Sequence, residues 1–204
     1  MKRNSVCWNI TSRCNENCRF CYRIMCTKEN TYEQNDRILD LLIELKIDKI
    51  TWTGGEALLY PHLFDLMKKA HYNNIKNNII TNGKLLNPNI IDEIEEYTDH
   101  ITLSLDSLDD NVNDCLGRGI EHSKHILELM EYLKNKDIIL KLNSVVTKQN
   151  VNNINEIAQV VSIYKIQRWK LFKFISLRGK SVKNKNEFDV ENAEFENLIN
   201  EIKK

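Results

Sequence analysis

Segments with a helical hydrophobic period alternate along the chain with short segments in which apolar and polar residues alternate one by one. The short segments predict strands near residues 6–11, 48–53, 77–82, 100–106, 138–146 and 168–175. The helical periods lie near residues 32–46, 62–73, 88–97, 120–136, 152–163 and 190–203. Regular alternation of the two predicts a parallel sheet with helices outside. Because crossovers are right-handed, we expect one α/β domain over residues 1–204, arranged as an open or closed barrel.

One face of nearly every predicted strand is polar. The polar positions are Cys7, Asn9, Thr11, Lys49, Thr51, Thr53, Thr102, Ser104, Asp106, Lys141, Asn143, Arg168 and Lys170. A closed barrel fills its interior with branched apolar side chains, and burying polar groups dry costs roughly 2–7 kcal/mol each. We therefore expect a wet or ligand-filled interior. The alternative is that this face is the solvent face of an ordinary sheet, although crossovers normally cover both faces of a parallel sheet.

Five of the six cysteines lie in the first 26 residues. Cys14, Cys18 and Cys21 form a C-x3-C-x2-C motif directly after the first predicted strand. Thiolates are soft metal ligands, and four of them complete a structural zinc site or an iron–sulfur cluster. Three thiolates leave one metal position open, which is typical of a catalytic metal. Cys26 is the candidate fourth ligand of the alternative zinc site, but Cys7, Cys26 and Cys115 are all expected to be plain thiols.

This motif, with Phe20 before its third cysteine, resembles the radical S-adenosylmethionine (radical SAM) superfamily. The resemblance implies a partial (βα)6 TIM-type barrel and a 4Fe-4S cluster bound by the three cysteines. It also implies that SAM chelates the fourth iron and is cleaved to a 5′-deoxyadenosyl radical, which abstracts a hydrogen atom. The electron for this step would come from a donor such as ferredoxin or flavodoxin.

Further motifs match positions that hold SAM in that superfamily. Gly54-Gly55-Glu56 follows the second predicted strand, and a glycine pair lets the backbone approach a ligand closely. By this match Glu56 accepts the SAM ammonium group. Ala57 stands where the superfamily usually has proline. The remaining positions that match the SAM pocket are Asn82, Ser104 and Asp106.

The second half of the sequence resembles the viperin family within this superfamily, in order from about residue 4 to residue 175. The resemblance implies that a nucleoside triphosphate is converted to its 3′-deoxy-3′,4′-didehydro analogue, in antiviral defence, by loss of the ribose 4′-hydrogen and of water. By the match, Asn143 orients the sugar or base. The residues that would hold the nucleotide, mainly its phosphates, are Lys49, Arg118, Lys141, Arg168 and Lys170. Arginine and lysine suit phosphate, and four of the five lie on the polar strand face. Salt bridges with Asp48, Asp106 or Asp137 are the alternative for any one of them.

The overall charge and the apolar runs of the sequence bear on the classes of ligand and on the location of the protein. Lys plus Arg and Asp plus Glu each number 29, which argues against nucleic-acid binding driven by bulk charge. No apolar run is long enough for a membrane helix, and no signal peptide follows the basic start, so a cytoplasmic protein is expected.

Three other functions remain open. The first is a radical SAM enzyme that modifies a peptide or activates a partner protein, although no cysteine after Cys115 offers an auxiliary cluster. The second is a cluster-bearing SAM- or nucleotide-binding protein without turnover, which the short segment after the last strand favours. The third is a zinc-dependent structural domain.

Overall fold

A computed structural model, which describes residues 4–24 and 28–203, contains one six-stranded parallel sheet ordered as in the chain. The strands are β1 (Ser5–Thr11), β2 (Lys49–Gly54), β3 (Lys76–Thr81), β4 (His100–Ser104), β5 (Ile139–Val146) and β6 (Arg168–Lys173). Among the described residues β1 and β6 do not pair, so the barrel is open between them. The predicted partial barrel is confirmed, and the predicted strand ends are correct to within two residues.

Helices connect the strands and cover the outside of the sheet. They are α1 (Tyr32–Glu44), α2 (Leu63–Tyr72), α3 (Pro88–Ile94), α4 (Asp110–Leu116), α5 (His122–Leu133), α6 (Ile157–Ile163), α7 (Lys180–Lys183), α8 (Lys185–Phe188) and α9 (Asn192–Ile202). The predicted helices near 88–97 and 152–163 each combine an α-helix with a 3-10 turn, and α4, α7 and α8 were not predicted. No helix in the described part of the chain is long and apolar enough to cross a membrane.

The main core lies between the helices and the outward face of the sheet. Trp52, Ile101 and Leu142 point outward from three different strands and are fully buried. They pack with helix residues such as Leu66 and Ile126. Each such side chain contributes about 1.5–3 kcal/mol on burial. Because the apolar residues of the strands face the helices, the alternating residues are left for the barrel interior.

Asn77 is a polar residue within this outer core. Its Oδ1 accepts a hydrogen bond from Trp52 Nε1 at 2.7 Å. Its Nδ2 donates to the carbonyl oxygens of Met67 at 2.9 Å and Tyr97 at 2.8 Å. The side chain thereby joins β2, α2 and the 3-10 turn Glu95–Tyr97 to β3.

Replacing this residue tests its structural role. We expect Asn77→Ala to lower the free energy of unfolding by about 2–4 kcal/mol, because it removes three buried hydrogen bonds. Asn73→Ala, which removes one exposed hydrogen bond to the Lys69 carbonyl, should cost less than about 1 kcal/mol. Urea denaturation of both variants measures the difference, and equal losses would contradict this role.

Candidate active site

The inner face of the barrel encloses a cavity of about 910 Å³ that is lined by residues from all six strands. Every position of the polar strand face predicted from the sequence lines this cavity. The predicted wet interior is therefore confirmed in its position, and the alternative of an ordinary solvent face is wrong. Apolar residues also reach the cavity, among them Ile80, Val145 and Phe172.

Four cations project from the strands into this cavity: Lys49, Lys141, Arg168 and Lys170. Strand register places Lys141 beside Arg168, and Asn143 beside Lys170. Within residues 4–24 and 28–203, none of the four forms a salt bridge. The predicted alternative of pairing with Asp48, Asp106 or Asp137 therefore does not hold for these four.

The electrostatic consequence is clearest at Lys141. Burial, followed by the positive charges of Lys49, Arg168 and Lys170, lowers its pKa from 10.5 to about 8. Burial and the neighbouring cations also lower the pKa of Lys170. The group thus repels itself in the absence of an anion, and a ligand with several negative charges would relieve that repulsion.

The three motif cysteines line a second, adjoining cavity of about 190 Å³ at the carboxyl ends of the strands. Five of the residues predicted to hold SAM line the same space: Gly54, Gly55, Glu56, Asn82 and Ser104. The sixth, Asp106, lines the larger cavity only. Cys21, Gly54, Gly55, Ser104 and Arg118 line both, so the two cavities form one continuous site.

Residues 12–22, which follow β1 and carry the three motif cysteines, are called the cysteine loop. The glycine pair brings the end of β2 against the start of this loop. Gly55 N donates to Thr11 O, and Glu56 N donates to Arg13 O, each at 2.8 Å. A Cβ on Gly54 would lie 2.2 Å from Thr11 O, and one on Gly55 would lie 2.1 Å from Arg13 O. Here the close approach is between two backbone segments. Contact of the same glycines with a ligand, as inferred from the sequence, stays a prediction.

Glu56 is fixed by backbone donors at the edge of the smaller cavity. Its Oε2 accepts from Asn82 N at 2.8 Å, and its Oε1 accepts from Leu58 N at 3.2 Å. Asn82 Nδ2 in turn donates to Asn15 Oδ1 at 2.8 Å, which ties this pair to the cysteine loop. Burial raises the pKa of Glu56. A cationic ligand group such as an ammonium would favour the ionised form of this carboxyl.

Arg118 lies apart from the four strand cations, at the cysteine end of the site. Its Nη1 donates to Glu16 Oε2 at 2.6 Å, and its Nε donates to Asp106 Oδ2 at 2.8 Å. The guanidinium also lies over the Phe20 ring, 5.4 Å from its centroid. Glu16 lies inside the cysteine motif, and the sequence did not single it out. Through Arg118 it joins that motif to Asp106, in the segment after β4, by buried ion pairs.

The helices that were not predicted hold the cysteine loop from behind. Phe20 packs in a small apolar cluster with Leu116, Phe174 and Phe188. Leu116 and Phe188 are the last residues of α4 and α8, and Phe174 directly follows β6. Backbone hydrogen bonds run from Arg19 N to Leu116 O at 2.9 Å and from Ser181 N to Cys21 O at 3.2 Å. The segment after β6 that contains α7 is therefore part of the support for the cysteines.

The donor set fits a cluster. Three thiols of one loop face one small cavity whose other walls are polar. No three His, Cys, Asp or Glu side chains among the described residues surround a single metal position, whereas a four-iron cluster takes each thiolate on a different iron. Cys26, which the zinc alternative requires, lies outside the described residues. Burial raises the pKa of the Cys18 thiol to about 12, and the charge of Arg118 opposes that rise.

Comparison with known proteins agrees with this geometry. Residues 8–161 match the family model of the radical SAM superfamily. The chain belongs to the radical SAM superfamily. Radical SAM proteins use a 4Fe-4S cluster and S-adenosylmethionine, so these are the cofactors of this chain.

The curated relatives of this chain carry a more specific name than the superfamily. The chain is 31% identical to an S-adenosylmethionine-dependent nucleotide dehydratase of Flammeovirga pacifica, over 96% of this chain and 71% of the relative. It is 28% identical to a protein of the same name from Lacinutrix mariniflava, and 26% identical to RSAD2 of Oncorhynchus mykiss. Each match covers 96% of this chain, but the chain spans only 43% and 60% of those two relatives.

Solved structures agree on the fold. SuiB of Streptococcus suis bound to S-adenosylmethionine superposes with a TM-score of 0.83 at 20% identity, over 98% of this chain and 47% of that one. The peptide complex of anSMEcpe with bound AdoMet gives a TM-score of 0.76 at 17% identity, over 98% and 59% of the two chains. At these identities the likeness shows the radical SAM fold alone.

The contact between the glycine pair and the cysteine loop can be tested by adding one methyl group. We expect Gly55→Ala to displace the loop at Arg13 and to lower iron and sulfide incorporation at least several-fold during anaerobic reconstitution. Gly119→Ala is the control, because a Cβ there meets open space, although its positive φ adds some backbone strain. Iron content equal to that of the control would contradict the proposed role of the contact.

Proposed function

We propose that this protein is a viperin-like radical SAM nucleotide dehydratase. Its reaction would convert a nucleoside triphosphate to the 3′-deoxy-3′,4′-didehydro analogue, with loss of water. The proposal rests above all on four strand cations that have no carboxylate partner in the described part of the chain, in a cavity that opens onto the cysteine loop. The names of the curated relatives point to the same substrate class.

The charges suit the phosphates of such a substrate. A triphosphate carries roughly four negative charges, and arginine can contact its oxygens in a bidentate manner. Lys141 and Arg168 lie side by side on neighbouring strands, and Lys49 reaches the same cavity from β2. We place the phosphates among these cations. Asn143 and Lys170 lie two residues further along their strands, towards the cysteine end, where Asn143 orients the sugar or base.

The cysteine end would hold the cofactors. Cys14, Cys18 and Cys21 bind the 4Fe-4S cluster, which together with SAM supplies the carbon radical for hydrogen abstraction. Glu56 accepts the ammonium group of SAM. The other SAM-binding residues in this proposal are Gly54, Gly55, Asn82, Ser104 and Asp106.

Arg118 is assigned by its position. It lines both cavities and bonds Asp106, so its remaining guanidinium nitrogen is available where the cofactor and the nucleotide meet. The single electron for each radical would come from a cytoplasmic donor such as ferredoxin or flavodoxin.

A peptide substrate is supported less well. The peptide-bound neighbours share the fold at or below about one-fifth identity. A peptide backbone offers no concentrated negative charge for the four strand cations, whereas a polyphosphate does.

Product analysis tests this function directly. The protein is reconstituted anaerobically with iron and sulfide, supplied with SAM and dithionite, and incubated separately with CTP, GTP, UTP and ATP. We expect one nucleotide to stimulate 5′-deoxyadenosine formation strongly and to lose the mass of one water molecule, both measured by mass spectrometry. Slow SAM cleavage that no nucleotide changes would reject the nucleotide as substrate.

Single substitutions test the cation group. Arg168→Ala and Lys170→Ala should each weaken nucleotide binding about tenfold or more, because a charge-assisted hydrogen bond contributes about 1.5–3 kcal/mol. Their iron content should equal that of the wild type. Lys148→Ala, an exposed lysine outside both cavities, is the control. Loss of cluster incorporation in the cavity variants, with unchanged nucleotide affinity, would reject the assignment.

The lowered pKa of Lys141 predicts a pH dependence. In the free protein its ammonium loses a proton as the pH rises through about 8, and the bound phosphates favour the charged form. Nucleotide affinity should therefore fall above pH 8, by at most about tenfold per pH unit for this one group. Titration calorimetry between pH 7 and 10 measures the fall. The Lys141→Arg variant keeps its positive charge over this range, so most of the fall in affinity should disappear. A pH profile identical to that of the wild type would contradict the assignment.

A further inference from the structure

The segment after β6 is strongly basic although the whole chain carries no net charge. Residues 175–186 contain Arg178, Lys180, Lys183 and Lys185 and no Asp or Glu. Arg178, Lys183 and Lys185 are exposed. We call the surface formed by residues 175–186 together with Tyr22 the α7–α8 face. Arg178 lines the larger cavity and Lys180 lines the smaller one, whereas Lys183 and Lys185 line neither.

This face is joined to the cysteine loop by direct hydrogen bonds. Ser181 N donates to Cys21 O at 3.2 Å, and Arg178 Nε donates to Tyr22 O at 3.1 Å. Asn184 Nδ2 donates to Arg19 O at 2.9 Å. The face is therefore in direct contact with the loop that carries the three cysteines. Because Lys183 and Lys185 are exposed and line neither cavity, another protein can contact them from outside the barrel.

The same face exposes large apolar side chains among its cations. Ile175 and Leu177 are each 60% exposed, Val182 is 52% exposed and Tyr22 is 51% exposed. Protein interfaces typically combine an apolar centre with a polar or charged rim. A clustered set of exposed apolar residues commonly marks a contact surface.

We propose that the α7–α8 face docks an acidic one-electron carrier protein that reduces the cluster. This proposal rests on the proposed function, which needs one electron from outside for each radical. The reduced iron–sulfur or flavin centre of the carrier loses one electron, the cluster gains it, and no bond forms at the face. Charge complementarity selects an acidic partner and accelerates its encounter with the basic face.

Charge reversal tests the docking site. The test variant is Lys183→Glu/Lys185→Glu, two exposed positions whose side chains form no hydrogen bond or salt bridge with the described residues of the cysteine loop. The matched control is Lys124→Glu/Lys134→Glu on the outer surface of α5. The probe is a purified flavodoxin, reduced to its hydroquinone. Stopped-flow absorbance measures cluster reduction by flavodoxin and, separately, by dithionite, and calorimetry measures flavodoxin binding at several salt concentrations.

We expect the test variant to lose at least tenfold in the bimolecular rate with flavodoxin at low salt, and the loss to shrink as salt is added. Flavodoxin binding should weaken in parallel. Iron content and the dithionite rate should equal those of the control. A flavodoxin rate equal to that of the control would overturn the proposal. An equal loss with dithionite would also overturn it, because that loss would indicate a structural defect. So would binding of a short DNA duplex to the same residues that is tighter than the binding of flavodoxin.

The two proposals fail in different ways. If the nucleotide function is wrong, wild-type protein with dithionite forms no nucleotide-dependent 5′-deoxyadenosine. If only the docking site is wrong, that reaction proceeds, but reduction by flavodoxin does not respond to charge reversal on the α7–α8 face.

Discussion

Mutual repulsion among Lys49, Lys141, Arg168 and Lys170 is the constraint around which the barrel interior is organised. The four charges share one cavity, and none has a carboxylate partner among residues 4–24 and 28–203. Like charges are seldom clustered in proteins, because each one disfavours the charged form of its neighbours. The lowered pKa of Lys141 reflects this effect. A polyanionic ligand turns the same repulsion into binding energy. The open barrel permits this, since its outer face alone carries the main apolar core.

The opposite end of the cavity depends on backbone contacts. Gly54 and Gly55 let the end of β2 hydrogen-bond to residues 11–13, and the Glu16–Arg118 ion pair and the α7–α8 segment hold the rest of the loop. The cysteines are thus fixed from three sides while their inner side faces the cavity. The strands thus carry the four cations, and the loop after β1 carries the three cysteines that we propose as cluster ligands.

The sequence predicted the barrel and its polar interior because strand alternation depends on local geometry alone. The same rule placed every predicted polar position on the cavity wall. It could not reveal Asn77 as a core residue, because that depends on carbonyl groups of α2 and the 3-10 turn Glu95–Tyr97, far away in sequence. Nor could spacing show that Arg118 pairs with Glu16, or that short, weakly patterned α7 and α8 support the cysteine loop.

The central claim is that the cavity holds a nucleotide with its ribose facing the cysteine end. Deuterium transfer tests this most directly. The active nucleoside triphosphate is labelled at the ribose C4′ position, and the 5′-deoxyadenosine formed with SAM is analysed by mass spectrometry. We expect 5′-deoxyadenosine to gain one deuterium from the C4′ label and none from a C3′ or C5′ label. Unlabelled 5′-deoxyadenosine from the C4′-labelled nucleotide, formed while that nucleotide is consumed, would contradict it.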